Sequence, residues 1–235
     1  MLKIVCLALF ALGIHTPLAR AMSCHCFPTR VFDSAKPVAA DPYFLATTQN
    51  AFMAVVFGQE KKDIVLTKQK PGVTAEGVWI AHWLSVKSGK EVGELLRAQR
   101  NTGSWRGAVT SLHVDMHKLP PLFAAILNRG ADETALSRFI VDSGLAEKEL
   151  VSRGELEALR RNGATDQETI LASVLARKTG QRPSQLFKMV RKGVVSWGEL
   201  LQKAGIDGGK MVDEIRAVLT NVKGRTESDA RIRRY

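Results

Sequence analysis

From Asp41 onward the chain is paced by apolar residues three and four apart, the pattern of helices that bury one face. Phe44, Leu45, Thr48, Phe52, Val55 and Val56 share one side of a helix that opens at Asp41-Pro42 and that Gly58 can end. Asp41 supplies a capping side chain there, and Pro42 suits the first helical position. A short helix over Lys61 to Gln69 stops at Pro71-Gly72. Val78 to Val86 is almost wholly apolar and Ile170 to Ala176 has the same character, so each predicts a helix buried on most sides. The two are expected to pack together at the heart of the molecule. Between them, Leu119-Pro120-Pro121 introduces a helix over Leu122 to Asn128, and Asp132 caps another over Thr134 to Val141 that Gly144 ends. Glu155 to Arg161 leads into further helices, and after Asp207 a last one carries Met211, Ile215, Val218 and Leu219. Alternating or β-branched runs bounded by turn signals are missing, so the fold class is all-α, a bundle of short helices.

The pattern also recurs. At an offset of 91, Gly72 falls on Gly163, Thr74 on Thr165, Ala81 on Ala172, Leu84 on Leu175, Gly89 on Gly180 and Arg100 on Arg191. One residue is then inserted in the later stretch, and at an offset of 92 Ser104-Trp105 falls on Ser196-Trp197, Asp115 on Asp207 and Lys118 on Lys210. Chance identity at average composition would give only about one or two matches over the first block, so a tandem copy of one unit is the better reading. The matched residues punctuate helices. Thr165 with Glu168 and Ser196 with Glu199 fit the capping box, and Gly89 and Gly180 fit a left-handed helix stop preceded by a basic residue. The expected organisation is a helical unit over 41–130 (repeat 61–119) followed by one over 131–222 (repeat 152–211). Trp105 and Trp197, each at the start of a helix, are expected to seal the core of their units rather than to stack on a ligand.

The first 40 residues lack this periodicity. Lys3, the apolar run Ile4 to Ile14 and Ala19-Arg20-Ala21 have the order of a secretory signal with an A-x-A cleavage site, predicting removal of 1–21 and export to the periplasm or beyond. The run is shorter than the about 20 residues that a bilayer-spanning helix needs, and no other stretch approaches that length. A lipoprotein acylated at Cys24 is the rival reading; Ala21-Met22-Ser23 is a poor lipobox, and His15, Pro17 and Arg20 part the apolar run from the cysteine. Residues 22–40 read as an extended leader containing prolines and cysteines.

Removing Lys3 and Arg20 takes 34 basic residues to 32 against 23 acidic ones, a net charge of +9. Such a charge favours an anionic polymer or membrane surface. Lys188, Arg191 and Lys192, with Arg231, Arg233 and Arg234 in a basic tail over 223–235, are the residues expected to meet it. Cys24-His25-Cys26 offers two thiolates and an imidazole to a metal, but residues so close in sequence turn poorly toward one ion, and a disulfide or intermolecular link competes. His113 and His117 are four apart, yet Asp115 between them reads as a helix cap that separates them. Gly205 to Met211 lacks the first glycine and the hydroxyl of a phosphate loop. Gly198 to Ile215 has the outline of a helix-turn-helix, but export removes a DNA partner and the geometry is a common way to pack short helices. No motif implies a cofactor, and no nucleophile is paired with a base oriented by a third group.

Ser23-Cys24-His25-Cys26-Phe27, the segment Asp41-Pro42-Tyr43-Phe44-Leu45-Ala46-Thr47-Thr48-Gln49-Asn50, and Ser196-Trp197-Gly198 together resemble a family of uncharacterised exported bacterial proteins. The resemblance covers most of the mature chain and implies export and a helical fold, with no activity attached. The sequence therefore predicts an exported helical protein, more an interaction or scaffold module with a protein or cell-envelope partner than an enzyme.

Overall fold

The computed structural model describes residues 27–220, and no strand occurs among them. The helices are α1 (Asp41–Phe57), α2 (Lys61–Lys68), α3 (Ala75–Ser88), α4 (Val92–Thr102), α5 (Trp105–Ser111), α6 (Pro121–Asn128), α7 (Glu133–Glu147), α8 (Arg153–Arg161), α9 (Asp166–Thr179), α10 (Pro183–Arg191) and α11 (Trp197–Lys203). A twelfth, α12, covers 211–220, and short 3-10 turns at Met116–Lys118 and Gly208–Lys210 precede α6 and α12. Among the described residues no helix is long and apolar enough to cross a membrane. The expected signal segment, Cys24, His25, Cys26 and the basic tail lie outside the described residues.

Local chemistry accounts for the helix ends. α3 and α9 are both 14 residues long; Thr74 and Thr165 cap them, and Gly89 and Gly180 stop them at φ 74 in each case. Only a residue without a Cβ takes that left-handed conformation at no steric cost. Ser104 and Ser196 cap the two seven-residue helices α5 and α11, and their leading tryptophans, Trp105 and Trp197, are both buried. Of the two capping boxes expected, only the one at Thr165 is complete; Glu199 instead pairs with Lys203 at 2.6 Å, so Ser196 is left with the hydroxyl half. At Thr74 there is no box, only the hydroxyl half, and that hydroxyl is tied to another helix. Gly77 stands where the box needs a glutamate, and the Thr74 hydroxyl, besides accepting from Gly77 N–H, donates to Glu133 of α7 at 2.5 Å.

One core cluster draws buried apolar residues from α1 through α12. The expected central pair does not form. α3 packs chiefly on α7 and α4, whereas α9 packs chiefly on α1 and α10. Helices apolar on most sides need cover on several faces, and the two longest helices, α1 and α7, provide it by each crossing to the far half of the chain. Gly144, expected to end α7, lies inside it. The helix runs on to Glu147, burying Leu145, and a Cβ at Gly144 would meet the Phe52 ring of α1 at 3.7 Å.

The start of α1 also departs from expectation. Ala40 holds the cap position without a side-chain bond, and the Asp41 carboxylate accepts instead from the backbone N–H groups of Trp197 (3.1 Å) and Gly198 (2.8 Å), capping α11. Burial raises the Asp41 pKa above its ordinary value despite those two bonds. Phe32 and Phe44 close on the same helix start, where a Cβ on Gly198 would lie 2.8 Å from Phe32 and 2.9 Å from Phe44. Residues 27–40 are thus partly anchored, with Phe32 seated on α11 and Phe27 packed on Ala46 and Val65.

Within the core, His82 of α3 stacks on Phe57 at 5.8 Å, and its Nε2 has no hydrogen-bond partner. Burial lowers its pKa to about 4, with smaller opposing effects from Asp63 (raising) and Lys70 (lowering). Because the unfolded chain takes up this proton first, stability is full above the ordinary pKa of 6.5 and falls as the pH drops toward about 4. Urea unfolding across that window is expected to show a loss on the order of 3 kcal/mol that His82→Phe abolishes; an unchanged pH profile in the variant would overturn this assignment. Asp41→Ala is expected to cost about 1–2 kcal/mol by the same measurement, through the lost cap on α11.

Candidate functional site

α10 carries the side chains that the charge pattern singled out. Its cap residue, Arg182, has no acceptor, so Glu155 of α8 does the capping: its carboxylate accepts from Ser184 N–H at 3.0 Å and from Arg182 at 2.6 Å. Burial pushes the Glu155 pKa up, but the bonds from Ser184 and Arg182 outweigh it and hold the group below its ordinary value. Leu186 and Phe187 point into the core, which turns Lys188, Arg191 and Lys192 outward. The Arg191 guanidinium lies over the Phe187 ring at 5.9 Å.

Among the described residues, none of these three cations pairs with a carboxylate. Lys188 and Lys192 stand one helical turn apart with like charge, an arrangement that costs a helix about 0.2–0.5 kcal/mol and that folding does not require. They flank an open groove of about 510 Å³ whose other walls include Arg182, Gln185, Met189 and Val194. Val194 is 63% exposed at the turn that follows the helix. The groove can hold an anionic group against two ammonium ions over a partly apolar floor; Ser184 also lines it, with its hydroxyl bonded to Glu155.

The other sequence candidates resolve into structure. Asp115 caps the 3-10 turn through His117 N–H, and His113 sits before it at φ 51, so the two histidines do not share a helix. Among the described residues no group of three or more His, Cys, Asp or Glu side chains is placed to hold a metal ion. Gly205 ends the turn after α11 at φ 64, and Asp207 caps Gly209 N–H; a Cβ at Gly208 would lie 2.7 Å from Phe44, so this glycine-rich stretch is a packing turn. Leu200, Leu201, Met211 and Ile215 are buried, and α11 packs on α1.

Two polar clusters were missed by sequence reasoning. Thr47, Thr48, Gln49 and Asn50 are buried in the middle of α1. Lys61 donates to Thr47 at 2.5 Å and Lys68 to Asn50 at 2.6 Å, both from α2, while Gln167 of α9 donates to Gln49 at 3.0 Å. The signal was visible as four consecutive polar residues inside an apolar run, but helical spacing alone does not say that they are buried. Arg160 of α8 donates to Asp142 of α7 at 2.5 Å and to Asp166 of α9 at 2.7 Å, clamping three helices; burial raises the Asp142 pKa against the pull of Arg160.

If Lys188 and Lys192 serve binding rather than folding, Lys188→Glu should leave stability unchanged or raise it by about 0.2–0.5 kcal/mol, since it converts a repulsive pair into an attractive one. Urea unfolding checks this, and a loss above about 1 kcal/mol would make Lys188 structural. No family model matches the chain, and no curated protein or solved structure is significantly similar to it.

Proposed function

We propose that this chain is an exported, non-enzymatic helical protein acting as an interaction or scaffold module in the periplasm, one of the exported helical proteins that its motifs resemble. The observation that carries this is how its carboxylates are spent. Asp41, Glu133, Glu155, Asp142 and Asp166 each close a helix end or join helices, which suits a rigid frame that presents a surface. The hydroxyls that meet them, Thr74 on Glu133 and Ser137 on Asp166, belong to the same ties between helices.

The frame is read as a duplicated unit. The equal lengths and like caps of α3 and α9, and of α5 and α11, support this, as does the reciprocal crossing of α1 and α7. A second reading, favoured by the uncompensated charge on α10, is that the module holds an anionic partner through Lys188, Arg191 and Lys192, with Arg231, Arg233 and Arg234 adding to it.

Intact mass of the native protein is expected to start at Met22, and size-exclusion of the periplasmic extract is expected to place it in an assembly larger than the free chain. A chain retaining Met1 in the cytosol would refute export, and elution as free chain alone would refute the module.

A further inference from the structure

We propose that the α10 face docks on the surface of an anionic phospholipid bilayer, with Val194 entering the head-group layer while Lys188, Arg191 and Lys192 meet lipid phosphates. This rests on the reading of α10 as an anion-binding surface and names the partner. Charge complementarity is the first argument. The three cations are exposed, lie within five residues of one another and, among the described residues, have no carboxylate to satisfy them. A layer of anionic head groups offers many phosphates at once, which suits exposed side chains that no fixed geometry constrains.

The second argument is apolar. Val194 is one of the few large apolar residues left exposed, and it follows Gly193, at φ 69, in the turn after α10, with Val190 and Val195 on either side of that turn half-buried. A soluble polyanion gains nothing from an aliphatic tip, whereas the boundary of a bilayer accepts one beside cations whose stems snorkel. The insertion in the later repeat falls here. Arg100-Asn101-Thr102-Gly103 has no apolar residue, while Arg191-Lys192-Gly193-Val194-Val195 adds a lysine and two valines. The departure from the repeat is therefore what creates the basic, apolar-tipped projection. The contact proposed is a peripheral one, made by cations and one aliphatic side chain.

The test is co-sedimentation of the full mature chain with vesicles of phosphatidylcholine alone and of phosphatidylcholine with phosphatidylglycerol, with inorganic polyphosphate binding measured in parallel. Binding is expected only to the phosphatidylglycerol vesicles, about fivefold weaker for each of Lys188→Gln, Arg191→Gln and Lys192→Gln. Val194→Ala should weaken it by up to about fifteenfold and Val194→Leu strengthen it by about fourfold, as methylene transfer dictates. Vesicle binding that is absent, or indifferent to the size of residue 194, overturns the bilayer proposal. If polyphosphate binding still falls with the three cation variants in that case, the anion-binding reading survives; if neither ligand responds to them, both fail. Residue 194 is exposed and α10 is capped by Glu155, so these variants keep the fold, which urea unfolding verifies.

Discussion

Two carboxylates at the starts of the two longest helices bear the architecture. Asp41, in the first turn of α1, caps α11 across 156 residues of chain, and Glu133, in the first turn of α7, gathers the Thr74 hydroxyl, the Gln99 amide and the Trp105 indole N–H. Each ties the entry of a long helix to a Trp-led or Thr-capped helix of the other half. At α11 the Asp41 carboxylate satisfies N–H groups that a helix start leaves open, at the positive end of the helix dipole, whereas Glu133 is held by side-chain donors alone. Apolar faces alone set poorly where along their neighbours α1 and α7 lie, and these ties fix the entry of each helix.

The crossing explains why one core serves the whole described chain. If α1 covered only its own half, each half would expose one side of a helix that is apolar on most sides. By exchanging covers, α3 and α9 are enclosed without packing chiefly on one another. The exchange also lets polar groups be buried safely. The Thr47 to Asn50 stretch meets α2 on one side and α9 on the other, where lysine and glutamine side chains meet its oxygens. A buried polar group costs stability unless partnered, so this stretch also discriminates among alignments of α1 on its neighbours.

Spending acidic groups on helix ends has a consequence for the surface. A chain with 34 basic and 23 acidic residues already has a cationic excess, and each carboxylate turned inward leaves a lysine or arginine outside with less to balance it. On α10 this is most evident, since Glu155 is drawn to the helix start by Ser184 and Arg182, away from Lys188, Arg191 and Lys192 further along. The cationic face follows from how the helix is capped as much as from the residues on it.

Helix identity, most helix ends and the cationic residues of α10 were legible in the residues alone, because periodicity, capping hydroxyls and stop glycines act within one or two turns. Thr74, Thr165, Ser104, Ser196, Gly89 and Gly180 do locally what their types dictate. Three features were decided by the tertiary arrangement: that Asp41 caps a different helix, that Gly144 is a packing contact rather than a stop, and that α3 and α9 are covered by α7 and α1. Each depends on a partner far away in sequence, and no spacing rule carries that information. The same holds for the site, where the residue types were evident but the pairing of Glu155 with Arg182 and the projection of Val194 required α8 and the turn after α10 to be set in place.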